Sequence, residues 1–551
     1  MKILIVAFFS LFLSQLSGQE HPDSVIFRAL SDEMARTRQE FRLPDAKYEP
    51  FYMRFVLIKA MNTQISASLG ALNMPVNEEV SRMVIPLILF GDATEGQRPG
   101  GTTLLISGAG QNDDYNQIRR AFWSVADRAY RRTYDAWVAE QKKKSEMQQN
   151  VLNAEKVEFT PTPAVTSIAS DLPAFNTKLW TDRAIELSKE FEKYKELYAT
   201  KVQLYVSWNG YYAVSSENVR LKLPSMVIKM VITATKNDAK GMPVKWDYSR
   251  SFQNEAGMPS MESLKEEIAL MASELDALVK APVEDVNYTG PLMVEGEGSI
   301  GIFWDAILGR VSGGIFNKAV VSSATSSSDL GKRLFDPRIS LTVYSNKQEY
   351  KGTPIKGAHD IDHDGFRPAP ERTLIKNGVV AEQLAWKHHV KDGSVPTGNT
   401  RYSAGSTGTG MGLAIGFYPG FMHFSASEGT TVAKMRKQLL EMAAKRGLKY
   451  AYIMRKKEYQ EVVYRVYVDS GKEELVRTSP ITPAVLSRYQ KSPMDLVAVS
   501  KTETLIDVPS SGPLPAVLTM VVPEALLFEE ISLGKVTGTF YPPAIPHPDG
   551  R

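Results

Sequence analysis

The densest run of chemically capable side chains is His359-Asp360-Ile361-Asp362-His363-Asp364, two imidazoles and three carboxylates in six residues. Both groups are ligand types for a divalent cation. Gly357 and Gly365 bound the run, so it reads as a turn or strand end, and a shared face for His359 and His363 does not follow from their spacing. Short motifs also match by chance, so a solvated turn is preferred to a metal site. His388-His389 precedes Asp392-Gly393 and reads as a polar surface hairpin. The run Gly398 to Gly412, with Gly398, Gly405, Gly408, Gly410 and Gly412, is either a flexible loop or backbone against which a ligand can lie closely. The chain contains no phosphate loop, dinucleotide fingerprint or Gly-x-Ser-x-Gly elbow.

The elements that must position these residues divide into two halves. From Asp23 to Pro282 the patterns are α+β. Met83, Val84, Ile85, Leu87, Ile88 and Leu89 suit a buried strand. Ile118, Phe122, Val125 and Ala129 mark a long helix from Asp113 or Asp114 to Lys144. Its arginines, Arg119, Arg120, Arg128, Arg131 and Arg132, read as a solvated face. Residues 141–171, with a lysine run, Pro161 and Pro163, read as a mobile excursion. Asn176 to Tyr198 returns to helix. Val202, Leu204 and Val206 alternate as a strand ending in a turn at Asn209-Gly210, and Met226 to Thr235 forms another. Ser260 caps a regular helix to Lys280, which Ala281-Pro282 ends. From Val283 to about Tyr541 the chain reads as short strands and Gly-rich loops, interrupted by one helix from Thr430 to Arg446 that Gly447 closes.

Composition limits the function. With 551 residues, two or three domains are expected. A 43% hydrophobic and 23% charged composition excludes a disordered chain. The net charge of +3 argues against an extended nucleic-acid footprint. With no cysteine there is no disulfide, thiolate nucleophile, Cys-ligated zinc or lipoprotein anchor. Lys2, the apolar run Ile3 to Leu13 and the small residues Ser17 and Gly18 read as a secretory signal over residues 1–19. That apolar run falls short of the ~20 residues needed to span a bilayer. The expectation is an exported, periplasmic protein with no membrane span.

The C-terminal half carries a resemblance. Tyr288-Thr289-Gly290-Pro291-Leu292-Met293-Val294-Glu295-Gly296-Glu297, Gly331-Lys332-Arg333-Leu334, Asp362-His363-Asp364-Gly365, Arg372-Thr373-Leu374-Ile375-Lys376-Asn377-Gly378-Val379-Val380 and Thr397-Gly398-Asn399 occur in that order. In order and spacing they resemble the C-terminal region of the TldD/PmbA family. Ser427 to Met442 and Pro515 to Glu529 are similar to that family's helix and closing strand. Phe27 to Met34 and Ile65 to Gly70 resemble the N-terminal domain of its exported members. The resemblance implies an N-terminal α/β domain (20–282) followed by a β-rich TldD/PmbA-like C-terminal domain (283–541), an α+β protein overall.

Active members of that family are zinc metallopeptidases that carry His-Glu-x-x-x-His on a helix and a later cysteine, acting on short or unfolded peptides in an enclosed chamber. Zinc takes imidazole or thiolate donors and keeps an open position for water, whose proton the glutamate accepts. The best counterpart here is Trp304-Asp305-Ala306-Ile307-Leu308-Gly309. Trp304 and Gly309 stand where the histidines would, and only Asp305 retains a carboxylate. None of the seven histidines is followed by glutamate, so no cofactor is expected, zinc included. The favoured reading is a non-catalytic subunit that binds peptides or unfolded segments and pairs with itself or with a zinc-bearing relative. Gly398, Asn399, Gly405, Gly408 and Gly410 are then the peptide-binding candidates. Two alternatives stay open: a peptidase with an unrecognised metal site around His359 and His363, and a structural or assembly protein of the cell envelope.

Overall fold

The fold is α+β, seen in a computed structural model that describes residues 22–41, 48–91, 107–146, 157–285, 287–299, 303, 330–390, 395–407, 410–457, 460–478, 496–509 and 517–533. The first half supplies α1 (Pro22–Glu40), β1 (Pro50–Ser68), β2 (Asn77–Phe90), α2 (Tyr115–Glu146), β3 (Val165–Ile168), α3 (Thr177–Lys189), β4 (Tyr198–Ser215), β5 (Val219–Asn237), β6 (Pro243–Phe252) and α4 (Met261–Lys280). Its strands form one sheet in the order β2-β1-β4-β5-β3, and β6 also pairs with β5. β3 runs parallel to β5, with Val165 opposite Val219 and Ile168 opposite Lys222.

Packing on both faces of β1 explains its apolar stretch Phe51 to Ile58, interrupted only by Arg54. Met53, Phe55 and Leu57 pack with Ile26, Phe27 and Leu30 of α1 and Ile118, Phe122 and Ala129 of α2. Phe55 and Phe122 stack at 4.8 Å. Tyr52, Val56 and Ile58 point the other way, into a core shared with Leu292, Leu341, Tyr402 and Tyr452 of the second half. With side chains alternating every residue, a strand covered on both faces has no polar side. Arg54 shares the parity of Tyr52 and Val56, which carries its guanidinium towards the second half. The far end of the sheet is covered by α3 and α4 through Trp180, Leu187, Leu264 and Ile268. Ser260 caps α4 by accepting the Ser263 N–H.

The second half builds two further sheets. β7 (Tyr288–Gly296) lies between β13 (Tyr450–Lys457) and β18 (Ala525–Leu533), with β14 (Gln460–Tyr467) beyond β13. β8 (Ile339–Tyr344) lies between β9 (Glu371–Lys376) and β12 (Phe421–Ala426), followed by β17 (Val517–Pro523) and β16 (Glu503–Pro509). β10 (Thr400–Thr407) and β11 (Gly410–Phe417) form a separate hairpin. A further helix, α5 (Val432–Lys445), is capped by Thr431 and ends at Gly447 with φ +69°. β15 (Glu473–Val476) pairs with β14.

Four readings of the sequence are corrected. Asn209-Gly210 is no turn: β4 runs straight through it, with Gly210 opposite Lys59 and Pro224. A Cβ on Gly210 would lie 3.0 Å from the Tyr212 ring and 3.1 Å from Trp208, so this glycine makes room for aromatic neighbours. The described part of 141–171 is ordered, since α2 continues to Glu146, Val157–Phe159 pairs with His388–Val390, and β3 joins the sheet. His388-His389 therefore lies on a strand paired with the remote Val157–Phe159 rather than in a local hairpin. Gly398 to Gly412 is not an open loop either: its described residues form the β10–β11 hairpin, in which Gly405 faces Gly412.

Candidate functional site

Asp362, His363 and Asp364 do not form the solvated turn that their composition predicts. Asp362 is 0% exposed, His363 5% and Asp364 1%. The turn is held by its own carboxylate: Asp362 accepts the N–H groups of Asp364 (2.9 Å), Phe366 (2.9 Å) and Thr400 (3.1 Å). Gly365 closes it with φ +92°. A buried carboxylate needs such donors, because unpaired desolvation costs several kcal/mol.

Asp364 meets the N-terminal sheet. Its Oδ1 accepts from Arg54 Nη1 at 2.5 Å and from the Tyr402 hydroxyl at 2.8 Å. Arg54 Nη2 donates to the Tyr211 hydroxyl at 2.7 Å. The Tyr211 hydroxyl donates in turn to the His363 carbonyl at 3.3 Å, and Trp386 Nε1 donates to the Tyr402 hydroxyl at 2.9 Å. The Arg54 guanidinium also lies 4.9 Å from the Tyr402 ring centre. Alongside, the buried Lys387 ammonium donates to Glu217 at 2.7 Å and to Thr162 at 2.9 Å. These contacts join β1, β4 and β10 to the turn, a charged bolt between the two halves.

Next to the bolt lies a cleft of about 520 Å³. One wall comes from the first half, including Ser167, Leu172, Leu223 and Met226. The other comes from the second half, including His359, His363, Arg401 and Leu518. β3 borders it as an edge strand: among the described residues it pairs only with β5, and Ile168 is 48% exposed. An edge strand with free N–H and C=O groups can accept a further strand.

The two histidines are held neutral in different ways. His359 Nδ1 lies 3.1 Å from the Gly357 carbonyl, and its Nε2 lies 3.2 Å from the Gly398 carbonyl and 3.4 Å from Asn399 Nδ2. Each ring nitrogen faces a backbone carbonyl, and a neutral ring, with one N–H, donates to one of the two. Burial, and then the charge of Arg401, push His359 down to about 3. His363 stacks on Tyr211 at 3.9 Å, and its Nδ1 accepts the Tyr402 N–H at 2.9 Å. Burial holds its pKa well below that of a free imidazole, with Arg401 and Arg54 adding to the effect. Asp362 is shifted the other way, up to about 7, by burial and by the Asp364 charge.

The site therefore gathers His359, His363, Gly398 and Asn399 from the sequence candidates. Gly398 has φ +76°, and a Cβ there would lie 2.5 Å from the Pro368 nitrogen. Asn399 is fully buried and donates to Ser345 and to the Tyr418 carbonyl. Gly405 and Gly410 lie on the hairpin strands, whereas Gly408, Trp304, Asp305 and Gly309 fall outside the described residues. Sequence reasoning missed Arg54, Tyr211, Tyr402 and Arg401. The one available signal was Arg54, a lone charge in the apolar stretch Phe51 to Ile58. Among the described residues no group of three His, Asp or Glu side chains is placed to hold a metal ion.

A pH dependence follows. In the unfolded chain His359 takes up a proton near pH 6.5, whereas in the folded chain it does so only near 3. Between those values the unfolded state binds more protons, so this contribution to stability falls as pH is lowered. Asp362 opposes it: its raised carboxyl stabilises the fold at low pH, and that contribution is lost as pH rises through about 7. His363, also held down, acts in the same sense as His359, so His359→Gln should make stability fall less steeply with acid than in the parent between pH 6.5 and 4, read from urea midpoints. An unchanged pH profile would contradict this assignment.

The fold matches solved structures over most of the chain. TldE from Thermococcus kodakarensis is 13% identical with a TM-score of 0.54, covering 92% of this chain and 100% of its own. A candidate modulator of DNA gyrase from Thermotoga maritima is 11% identical, with a TM-score of 0.56 and the same coverage. Another, from Bacteroides thetaiotaomicron, is 11% identical with a TM-score of 0.52, covering 94% of this chain and 100% of its own. No protein-family model and no curated relative matches the sequence. At these identities the likeness establishes a TldD/PmbA-like fold.

Proposed function

We propose that the chain is an exported, non-catalytic member of the TldD/PmbA type that binds peptides or unfolded segments. The observation that carries this reading is the cleft itself, bordered by the edge of β3 that has no partner among the described residues and walled by apolar and polar side chains. An extended peptide can add to such an edge through main-chain hydrogen bonds while apolar walls receive alternate side chains. No cysteine is present, and Trp304 and Gly309 offer no donor where the active family's histidines would stand. Both ring nitrogens of His359 lie against backbone carbonyls, which supports a structural wall in preference to a metal ligand. In this reading the chain acts in proteolysis by presenting or holding peptides, as a dimer with itself or with a zinc-bearing relative.

The mature chain should hold no stoichiometric zinc by elemental analysis after dialysis, and should leave a mixed pool of unfolded peptides uncleaved by mass spectrometry. Cleavage that a chelator abolishes would overturn the reading in favour of a peptidase. Light scattering should report an assembly larger than one chain, alone or with an exported relative that retains His-Glu-x-x-x-His. Such an interface should bury more than about 1,000 Å².

A further inference from the structure

We infer that the cleft receives the free C-terminal carboxylate of its peptide, held between the Arg401 guanidinium and the Nε2–H of His363. This rests on the peptide-binding reading above and names the end of the peptide that is recognised.

Arg401 lines the cleft. Its Nη1 is committed to the carbonyls of Ile361 (3.3 Å) and Thr400 (3.2 Å), which fix the plane of the group. Its Nε and Nη2 have no protein acceptor among the described residues, and no carboxylate there forms an ion pair with it. Asp362 acts on it through its field without direct contact, whereas Arg54 contacts Asp364 at 2.5 Å. A guanidinium with Nε and Nη2 left open beside a cleft is a receptor for a planar two-oxygen anion.

His363 supplies the second donor. The Tyr402 N–H occupies Nδ1 at 2.9 Å, so a neutral ring carries its proton on Nε2. That nitrogen has no acceptor among the described residues, and the residue lines the same cleft. Stacking on Tyr211 at 3.9 Å, with an interplanar angle of 17°, fixes the direction of the ring. The donor set therefore comprises one full positive charge and one neutral N–H. It matches a carboxylate, with one charge over two oxygens, better than a phosphate, which carries nearly two charges over three oxygens. Leu223, Met226 and Leu518 on the walls suit the apolar side chains next to such a terminus.

The test uses an N-terminally labelled, unstructured decapeptide as its free acid and as its C-terminal amide, titrated into the full chain by fluorescence anisotropy. The free acid should bind at least ten-fold more tightly. In Arg401→Gln the two forms should bind alike, and Arg401→Lys, which keeps the charge without the fork, should retain part of the preference. Urea midpoints near that of the parent establish that the variants are folded. Equal binding of acid and amide by the parent chain, or a preference that survives in Arg401→Gln, overturns the carboxylate site and leaves peptide binding intact. Binding of neither peptide overturns both readings. A free amino acid that competes as well as the decapeptide shows a small-molecule carboxylate site and overturns the peptide assignment.

Discussion

Arg54→Met is expected to lower the stability of the folded chain by about 3–5 kcal/mol, the range for breaking a buried ion pair from one side. Both partners are fully buried, and the substitution leaves Asp364 with only the Tyr402 hydroxyl as a donor to its side chain. The Tyr211 hydroxyl loses its Arg54 donor as well. Most of the loss comes from the stranded carboxylate rather than from the attraction removed, so Asp364→Leu in the same chain should recover a large part of it. Urea midpoints for the two single variants and the double variant give the coupling. Additive losses would show that the pair does not act as a unit.

Gly398→Ala is the second large effect expected, about 2–5 kcal/mol. A left-handed residue with a side chain costs roughly 1–2 kcal/mol, and φ here is +76°. The new Cβ would also lie 2.5 Å from the Pro368 nitrogen and 2.7 Å from the Arg367 carbonyl carbon, both backbone atoms that cannot rotate away. Overpacking of that kind adds roughly 1–3 kcal/mol. The Gly398 carbonyl lies 3.2 Å from His359 Nε2, so any backbone shift moves a wall of the cleft. Peptide affinity should fall together with the unfolding midpoint. A variant of parental stability would show that the backbone adapts at this turn.

What the sequence made legible was local. α4 was readable because its cap at Ser260 and its buried Leu264, Ile268, Met271, Leu275 and Leu278 all lie within one segment. α5, with Thr431 and Gly447 at its ends, was readable for the same reason. The burial of Asp362-His363-Asp364 was not, because the groups that answer its charge are remote. Arg54 is 310 positions from Asp364, and Tyr211 is 152 from His363. Polar composition predicts exposure until a partner is known, and here the partner sits within the otherwise apolar stretch Phe51 to Ile58. Asn209-Gly210 failed for the opposite reason: a strong local turn signal was overridden by Trp208 and Tyr212, whose rings occupy the space a side chain would need.

Peptide binding at this cleft, independent of any zinc centre, is directly measurable. Ser170→Trp places a large side chain at an exposed position on the cleft wall without touching the charged bolt. Equilibrium binding of a labelled unfolded peptide should be detectable with the parent chain in the presence of a chelator. It should weaken at least ten-fold in Ser170→Trp at an unchanged unfolding midpoint. Equal affinity of the two chains would place the peptide elsewhere, and binding that disappears with the chelator would return the protein to metal chemistry.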